Sequence, residues 1–318
     1  MPQLFGNMKA SEILEKAKIL ISALPYFKNF YKKIMVIKYG GHAMVDEALK
    51  SSFAQDVVLM KYVGIRPIIV HGGGPQINKV MEKMGLKPVF IEGQRFTDEE
   101  TMNVVEMVLV GNVNKEIVSL INKAGGKAVG LSGRDGNLIQ VEKMSIYKYK
   151  GEDRPPEIID IGRVGEVKKV NPEVIYTLIE KDFIPVIAPV GVGPEGVAYN
   201  INADLVAGAL ATALSAEKLI YLSDVEGVKD GKGNLISTLY MEKIDELIEA
   251  GIAKGGMIPK LKSAKKALIG GVKKVHIIDG KTPHSLLIEL FTDEGLGTQI
   301  LKGGDSLGGR DFGEELRS

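Results

Sequence analysis

A chain of 318 residues, 45 % of them apolar, is long enough for one large or two modest domains around a sizeable core. Forty-one lysines and arginines against 40 aspartates and glutamates leave a net charge of +1, which argues against a nucleic-acid partner, whose binding face is usually basic. Cysteine is absent, which excludes a disulfide scaffold, a thiolate nucleophile and a cysteine-held metal; the four histidines, His42, His71, His276 and His284, form no H-x-x-x-H pair, so no structural zinc site is expected.

The first residues, Met1 to Asn7, lack a basic signal-peptide region, and Lys9, Glu12, Glu15, Lys16 and Lys18 interrupt the apolar residues that follow. No apolar run reaches membrane-spanning length, so a cytoplasmic chain with no membrane partner is expected. Ile13, Ala17, Leu20 and Leu24 recur at helical spacing behind Ser11 as a candidate N-cap, with Pro25 ending the helix. Such a helix, an extension over residues 1–30, packs either outward on a partner or on its own domain.

From residue 31 the pattern alternates. Residues 34–38 form an apolar strand, Gly40-Gly41 a turn and 46–62 a helix. Residues 67–70 form a second strand, followed by a glycine turn and a helix beginning at Pro75, where the missing N–H costs nothing. Thr97 with Glu100 makes a capping box for a long helix to about residue 124. Residues 127–165 read as short strands and turns, with Arg154-Pro155-Pro156 irregular. A helix from Pro172, a strand over 183–188, a helix over 202–214, a strand over 218–222, helices near 241–249 and 256–270, a strand over 274–278 and a helix over 283–290 complete the series. This alternation predicts an α/β fold with an open, mainly parallel sheet covered on both faces. No linker divides the chain, so residues 31–301 are expected to form one domain of two lobes, about 31–190 and 191–301. Residues 302–318 are glycine-rich and polar and are expected to be a flexible tail.

Three glycine-rich turns follow predicted strands: Gly40-Gly41, Gly72-Gly73-Gly74 and the stretch Gly191 to Gly196. Ligands of open α/β sheets bind outside the carboxyl ends of the strands, and glycine there lets backbone N–H groups approach anionic oxygens. Lys38 ends its strand beside Gly40, where its ammonium would reach the same place. Lys260 falls in the first turn of a helix, where a cation is unfavourable without an anionic partner. Asn200-Ile201-Asn202-Ala203-Asp204 puts two amides and an acid at a helix start, more than capping requires. Gly191 to Gly196 formally matches the dinucleotide fingerprint, but five residues separate it from the next helix and Pro194 removes a donor. A dinucleotide-dependent oxidoreductase is therefore the weaker alternative. A Walker A loop is absent, because Val275 stands where its first glycine must be.

The segments Lys38 to Gly41, His71 to Gln76, Gly93 to Thr97, Tyr199 to Asp204, Leu222 to Gly227 and Gly255 to Lys260 occur in the order seen in the amino-acid kinase family, and the pair Gly93–Thr97 with Tyr199–Asp204 resembles its N-acetylglutamate branch. The resemblance spans about residues 30–301. It implies the three-layer αβα amino-acid kinase fold and ATP-dependent phosphorylation of the γ-carboxylate of N-acetyl-L-glutamate, with a kinase for an aminoadipate-type carboxylate as the near alternative. It implies ATP as the donor, with Mg²⁺ carried by the nucleotide. Lys38 and Lys260 match the lysines flanking the transferred phosphoryl group, and Asp204 the acid that orients them. Gly40, Gly41, Gly72, Gly73 and Gly74 match the backbone donors, Gly73 and Gly74 also facing the acyl substrate. Arg95 and Asn200 match its carboxylate and acetamido contacts, and Ser223, Asp224 and Gly227, with Lys260, the nucleotide pocket. A carboxylate of pKa about 4.3 is already ionised at neutral pH, so no general base is required. The resemblance extends to arginine-controlled members, in which Tyr26, Lys218, His276, Glu289 and Gly295 match positions around the effector. It implies a dimer-based hexamer and allows for a nitrogen-signalling protein as a further partner.

Overall fold

The computed structural model describes residues 10–148, 157–293 and 295–303. Residues 154–156, expected to be irregular, and nearly all of the expected tail lie outside them. Eight strands form the central sheet, in the spatial order Thr238–Tyr240, Gly297–Leu301, Lys274–Asp279, Lys218–Ser223, Ile34–Tyr39, Arg66–His71, Ile184–Ala188, Ala128–Ser132. All pairings are parallel except that of Lys274–Asp279 with Gly297–Leu301.

Alternation of side chains assigns each face its own core. Met35, Ile37, Tyr39 and Ile69 pack into one apolar cluster with Phe53, Val57, Val105 and Ile121; Val36, Ile68 and Val70 pack into the other with Val206, Leu210, Leu261 and Ala264. The sheet is thus the middle of three layers, the α/β arrangement expected. Tyr39 pairs with His71 across one neighbour and Lys38 with Tyr221 across the other. The glycine turns and the residues after Leu222 therefore emerge side by side at one edge, where strand order changes direction.

Several boundaries differ from expectation. The N-terminal helix Ala10–Ser22 already contains Ser11, so that residue is not its cap, and Pro25 does not end it. The break falls at Ala23, and Pro25 occupies the first turn of a second helix, Leu24–Phe30, where its lost N–H has no role. The capping box at Thr97 is not formed. Asp98 accepts from Thr101 N–H at 2.8 Å and caps the helix Glu99–Glu106. Thr97 is held in a bridge with Gly162, and its hydroxyl turns inward to the Arg95 carbonyl at 2.8 Å. The long helix continues as a π-helical segment, Met107–Val113, and then Asn114–Lys123.

Instead of short strands, Ile139–Lys148 and Glu157–Val170 form a long antiparallel pair, closed into a small barrel with Val190–Val192 and Ala198–Asn200. The stretch Gly191 to Gly196 joins two antiparallel strands of that barrel and opens no helix, which removes the dinucleotide geometry. A two-residue hairpin, Phe90–Ile91 with Gln94–Arg95, turns through Glu92 and Gly93, both at positive φ.

Candidate active site

Lys38, at the carboxyl end of its strand, and Lys260, in the first turn of the helix Met257–Ile269, meet at one carboxylate. Asp204 Oδ2 lies 2.7 Å from Lys260 Nζ and Oδ1 3.2 Å from Lys38 Nζ. The first is a directed hydrogen bond; the second is an ion contact without hydrogen-bond geometry, since Oδ1 has no hydrogen-bond partner. All three side chains are nearly buried, Asp204 at 6 % exposed and both lysines at 12 %. Burial alone would raise the Asp204 pKa, but the two ammonium groups outweigh it and hold the acid below the ordinary carboxylate range. Lys38 is shifted down, by burial first and then by repulsion from Lys260, despite attraction to Asp204. One carboxylate balances two ammonium groups, so the cluster carries an uncompensated positive charge suited to an anion.

Asp204 owes its place to two local devices. Asn202 caps the helix Ala203–Ala213, its Oδ1 accepting from Asp204 N–H at 2.8 Å. Ser263, one turn beyond Lys260, donates to the Asp204 carbonyl at 2.8 Å and receives the buried Tyr221 hydroxyl at 2.8 Å. The two helix starts are thereby locked together.

The glycine turns form the opposite wall. Gly40 passes directly under the Lys38 ammonium, where a Cβ would lie 2.5 Å from Nζ. Gly41 has φ +72°, and a Cβ there would collide with the Asp224 carboxylate, which accepts from His42 N–H at 2.5 Å. Among the described residues no acceptor takes the N–H of Gly73 or Gly74. Gly74 opens the helix Gly74–Lys83, whose first N–H groups point outward with the positive end of the helix dipole.

These walls enclose an open cleft of about 300 Å³, lined by Lys38, Gly40, Gly41, Gly72, Gly73, Gly74, Arg95, Asn200 and Asp204, with Ile77, Phe90, Leu109 and Pro189 as its apolar part. Arg95 is 7 % exposed, its guanidinium donating to Asn78 Oδ1 at 2.6 Å and lying 4.8 Å from the Phe90 ring centroid. No carboxylate among the described residues pairs with it, and burial lowers its pKa. A buried guanidinium without an acid is suited to receive a carboxylate. Asn200 donates to Thr97 Oγ1 at 3.3 Å, which ties the barrel to the Arg95 segment. Phe90 and Leu109 were not singled out from sequence; an aromatic in a two-residue strand and a leucine in a π-helical turn carry no local signal of a binding role.

Ser223, Asp224 and Gly227 do not line this cleft. They form a loop beside Gly41, closed by the Ser223 carbonyl accepting from Gly280 N–H at 2.8 Å and by Thr298 Oγ1 accepting from Val228 N–H at 2.8 Å. The five residues of the expected effector site gather elsewhere, toward the amino end of the strand Lys218–Ser223. His276 Nδ1 lies 2.5 Å from Glu289 Oε1, and Glu289 Oε2 accepts from Leu296 N–H at 2.7 Å beside Gly295. Lys218 lies 5.0 Å from the Phe30 ring centroid, and Tyr26 donates to Asp293. Burial pushes Lys218 down to about 8 and His276 to about 4, and His276 Nε2 is buried without a hydrogen-bond partner.

Comparison with known proteins places this geometry. The model of the amino acid kinase family matches residues 33–279. An acetylglutamate kinase of Aquifex aeolicus is 60 % identical over 91 % of this chain and 99 % of its own length, and one of Syntrophobacter fumaroxidans is 59 % identical over 91 % and 97 %. Among solved structures, N-acetylglutamate synthase from Neisseria gonorrhoeae, complexed with coenzyme A and N-acetyl-glutamate, superposes with a TM-score of 0.76 at 26 % identity, covering 90 % of this chain and 63 % of that one. At this identity and coverage the chain belongs to the amino acid kinase family and, within it, to the acetylglutamate kinases.

Proposed function

We propose that the cleft between the glycine turns and the Lys38–Asp204–Lys260 cluster is where the γ-phosphoryl group of ATP passes to the side-chain carboxylate of N-acetyl-L-glutamate, giving N-acetylglutamyl 5-phosphate. ATP-dependent phosphorylation of N-acetylglutamate is the activity of the chain's family; the assignment of roles to residues is our reading. The observation that carries it is one buried carboxylate shared by two ammonium groups opposite free backbone N–H groups. Lys38 and Lys260 neutralise the oxygens of the transferring group, and Asp204 holds both lysines in place. Gly40, Gly41, Gly73 and Gly74 supply N–H donors without a side chain to block the approach; the expected donor Gly72 does not, because its N–H is already taken by the Tyr39 carbonyl at 2.8 Å. The acceptor carboxylate is already ionised, so positioning replaces base catalysis. Ser223, Asp224 and Gly227 edge the nucleotide. No carboxylate group among the described residues is arranged to hold a metal, so Mg²⁺ would enter with the nucleotide and would supply positive charge to its phosphates. Both Asp204 oxygens face ammonium groups and are not free to ligate it.

Arg95 and Asn200 hold the acyl end of the substrate. Arg95→Ala is expected to raise the KM for N-acetylglutamate by about 30-fold or more, the loss of a charged hydrogen-bonded pair, and to change the KM for ATP little. Steady-state kinetics with each substrate varied measures this; an equal rise in both values would place Arg95 outside the acyl pocket.

L-Arginine is the proposed inhibitor, bound where Lys218, His276, Glu289 and Gly295 converge beneath Tyr26 and the helix Leu24–Phe30. Buried Glu289 suits a guanidinium. The helix Ala10–Ser22 leaves Leu14, Leu20 and Ile21 exposed, at 57 %, 67 % and 69 %, so the described residues do not cover them. A dimer-based hexamer joined through these helices gives the effector an assembly to bias, as control at a distance requires. Deleting residues 1–25 is expected to lower the mass in solution and abolish inhibition by arginine. A truncated protein with its assembly and arginine response intact would refute this.

A further inference from the structure

His71 closes the strand Arg66–His71 beneath the glycine loop and is fully buried. Its Nδ1 lies 2.7 Å from the Gly72 carbonyl oxygen, and its Nε2 lies 3.2 Å from Asn114 Nδ2. A carbonyl oxygen only accepts, so Nδ1 carries the proton and Nε2 offers a lone pair to the Asn114 amide. The orientation of that amide is fixed independently. Asn114 Nδ2 also donates to the Val186 carbonyl at 2.9 Å, while its Oδ1 faces Lys115 Nζ at 3.2 Å. Reversing the amide would set its oxygen against two acceptors and its NH₂ against an ammonium. The imidazole is therefore neutral, in keeping with burial, which pushes its pKa down to about 4.

The surroundings are built for this pair. Asn114 sits where the π-helical segment Met107–Val113 gives way to the helix Asn114–Lys123, and Leu109 of that segment packs on Gly73. Across from Asn114, a Cβ on Gly130 would overlap Oδ1, so the edge strand is hollowed to admit the amide. Neither His71 nor Asn114 lines the cleft. Two buried polar side chains joined to each other and to the loop, yet out of reach of substrate, call for a role other than contact.

We propose that His71 and Asn114 are positioning residues that fix the Gly72–Gly73 peptide in the orientation that aims the Gly73 N–H at the transferring phosphoryl group. The peptide unit is planar and trans, so its C=O and N–H point in opposite directions. Tying the carbonyl to His71 beneath the loop turns the N–H toward the cleft, which Gly73 lines and where no described acceptor takes it. A Gly–Gly peptide left untied has access to both orientations, and the reversed one would present a carbonyl oxygen to phosphate oxygens. A donor fixed in advance requires no rearrangement during transfer. The proposal rests on the reading of this cleft as the transfer site.

The test uses the purified full-length protein with His71→Asn, His71→Gln, Asn114→Asp and, in parallel, Lys260→Ala. Asparagine can place its amide nitrogen where Nδ1 stands and keep the bond to the Gly72 carbonyl; glutamine reaches the Nε2 position and loses it. His71→Gln is expected to lower kcat by about 10- to 100-fold, less than removal of a donor outright, with the KM for the acyl substrate within about threefold. His71→Asn is expected to retain at least about a third of wild-type kcat at a comparable melting temperature. Asn114→Asp, whose carboxylate draws the ring proton onto Nε2, is expected to follow His71→Gln at alkaline pH, where the imidazole holds that single proton and Nδ1 loses its bond to the Gly72 carbonyl, and supplies the answer should that variant not fold. Equal kcat losses in both His71 variants, tracking melting temperature, would overturn the proposal, as would wild-type kcat in His71→Gln and Asn114→Asp. Undiminished turnover in Lys260→Ala would instead locate the failure in the transfer-site reading.

Discussion

Lys38→Ala and Lys260→Ala are each expected to lower kcat by about 10²- to 10³-fold, the loss that follows removal of one preorganised charge donor from a transition state. The two ammonium groups share a single carboxylate, which leaves one positive charge in excess; Lys38 and Asp204 line the cleft, and Lys260 meets it through Asp204, 2.7 Å away. Phosphoryl transfer involves little covalent work by the protein, so positioning and charge carry most of the rate. The KM values should change less, because the interaction strengthens as charge shifts onto the phosphoryl oxygens. The two variants should differ in their pH dependence. Removing Lys260 lifts the repulsion that depresses Lys38, so the alkaline fall of kcat/KM moves to higher pH. Single-turnover and steady-state rates on folded protein check both statements, and near-normal turnover in either variant removes that lysine from the mechanism.

What was legible in the sequence is mostly what local physics specifies. A lysine ending an apolar strand beside two glycines, and a lysine in a first helical turn, each break a local preference, and both converge on the same acid. That Asp204 is that acid depended on a contact across 56 residues, made by packing two helices together, and no spacing in the sequence displays it. The polar cluster Asn200, Asn202 and Asp204 at a helix start was readable, and Asn202 proves to be the cap, but the capping box expected at Thr97 is not formed because the long-range bridge to Gly162 outweighs the local pattern. The small barrel was underestimated for a similar reason. The strand Glu157–Val170, paired with Ile139–Lys148, alternates only weakly between buried and exposed positions, so its sequence carries little period-two signal. The strands Thr238–Tyr240 and Gly297–Leu301 were missed because each is short and defined by its neighbour. His71 stood in a recognised motif, yet its partner Asn114 lies 43 residues away and faces it from the start of a helix that follows a π-helical segment.

Asp204→Asn is expected to cost as much as either lysine, with a different signature. Asparagine keeps the size of the side chain and removes the one carboxylate in direct contact with both ammonium groups among the described residues, leaving Lys38 with the weaker attraction of Asp224. With the attraction gone and the mutual repulsion left, Lys38, already shifted down by burial, loses its proton more readily. Each pKa unit lost once the value falls below the assay pH removes about tenfold of the charged form. The kcat is therefore expected to fall by about 10²-fold or more at neutral pH, with the alkaline limb of kcat/KM moved to lower pH, the opposite direction from Lys260→Ala. Breaking a buried ion pair from one side also destabilises the fold, by about 3–5 kcal/mol. The acid side of the stability profile supplies an independent check. The folded-state pKa of Asp204 lies below its unfolded value, so its contribution is complete above the ordinary carboxylate range and is lost only as pH falls through the depressed value. Wild-type protein should lose that increment below about pH 4, whereas the variant has none to lose, so the two stability curves converge in strong acid. Denaturant titrations across pH, paired with pH–rate profiles, separate the two roles of the carboxylate. A variant with normal kcat and an unmoved alkaline limb would show that the lysines do not depend on Asp204 for their charge.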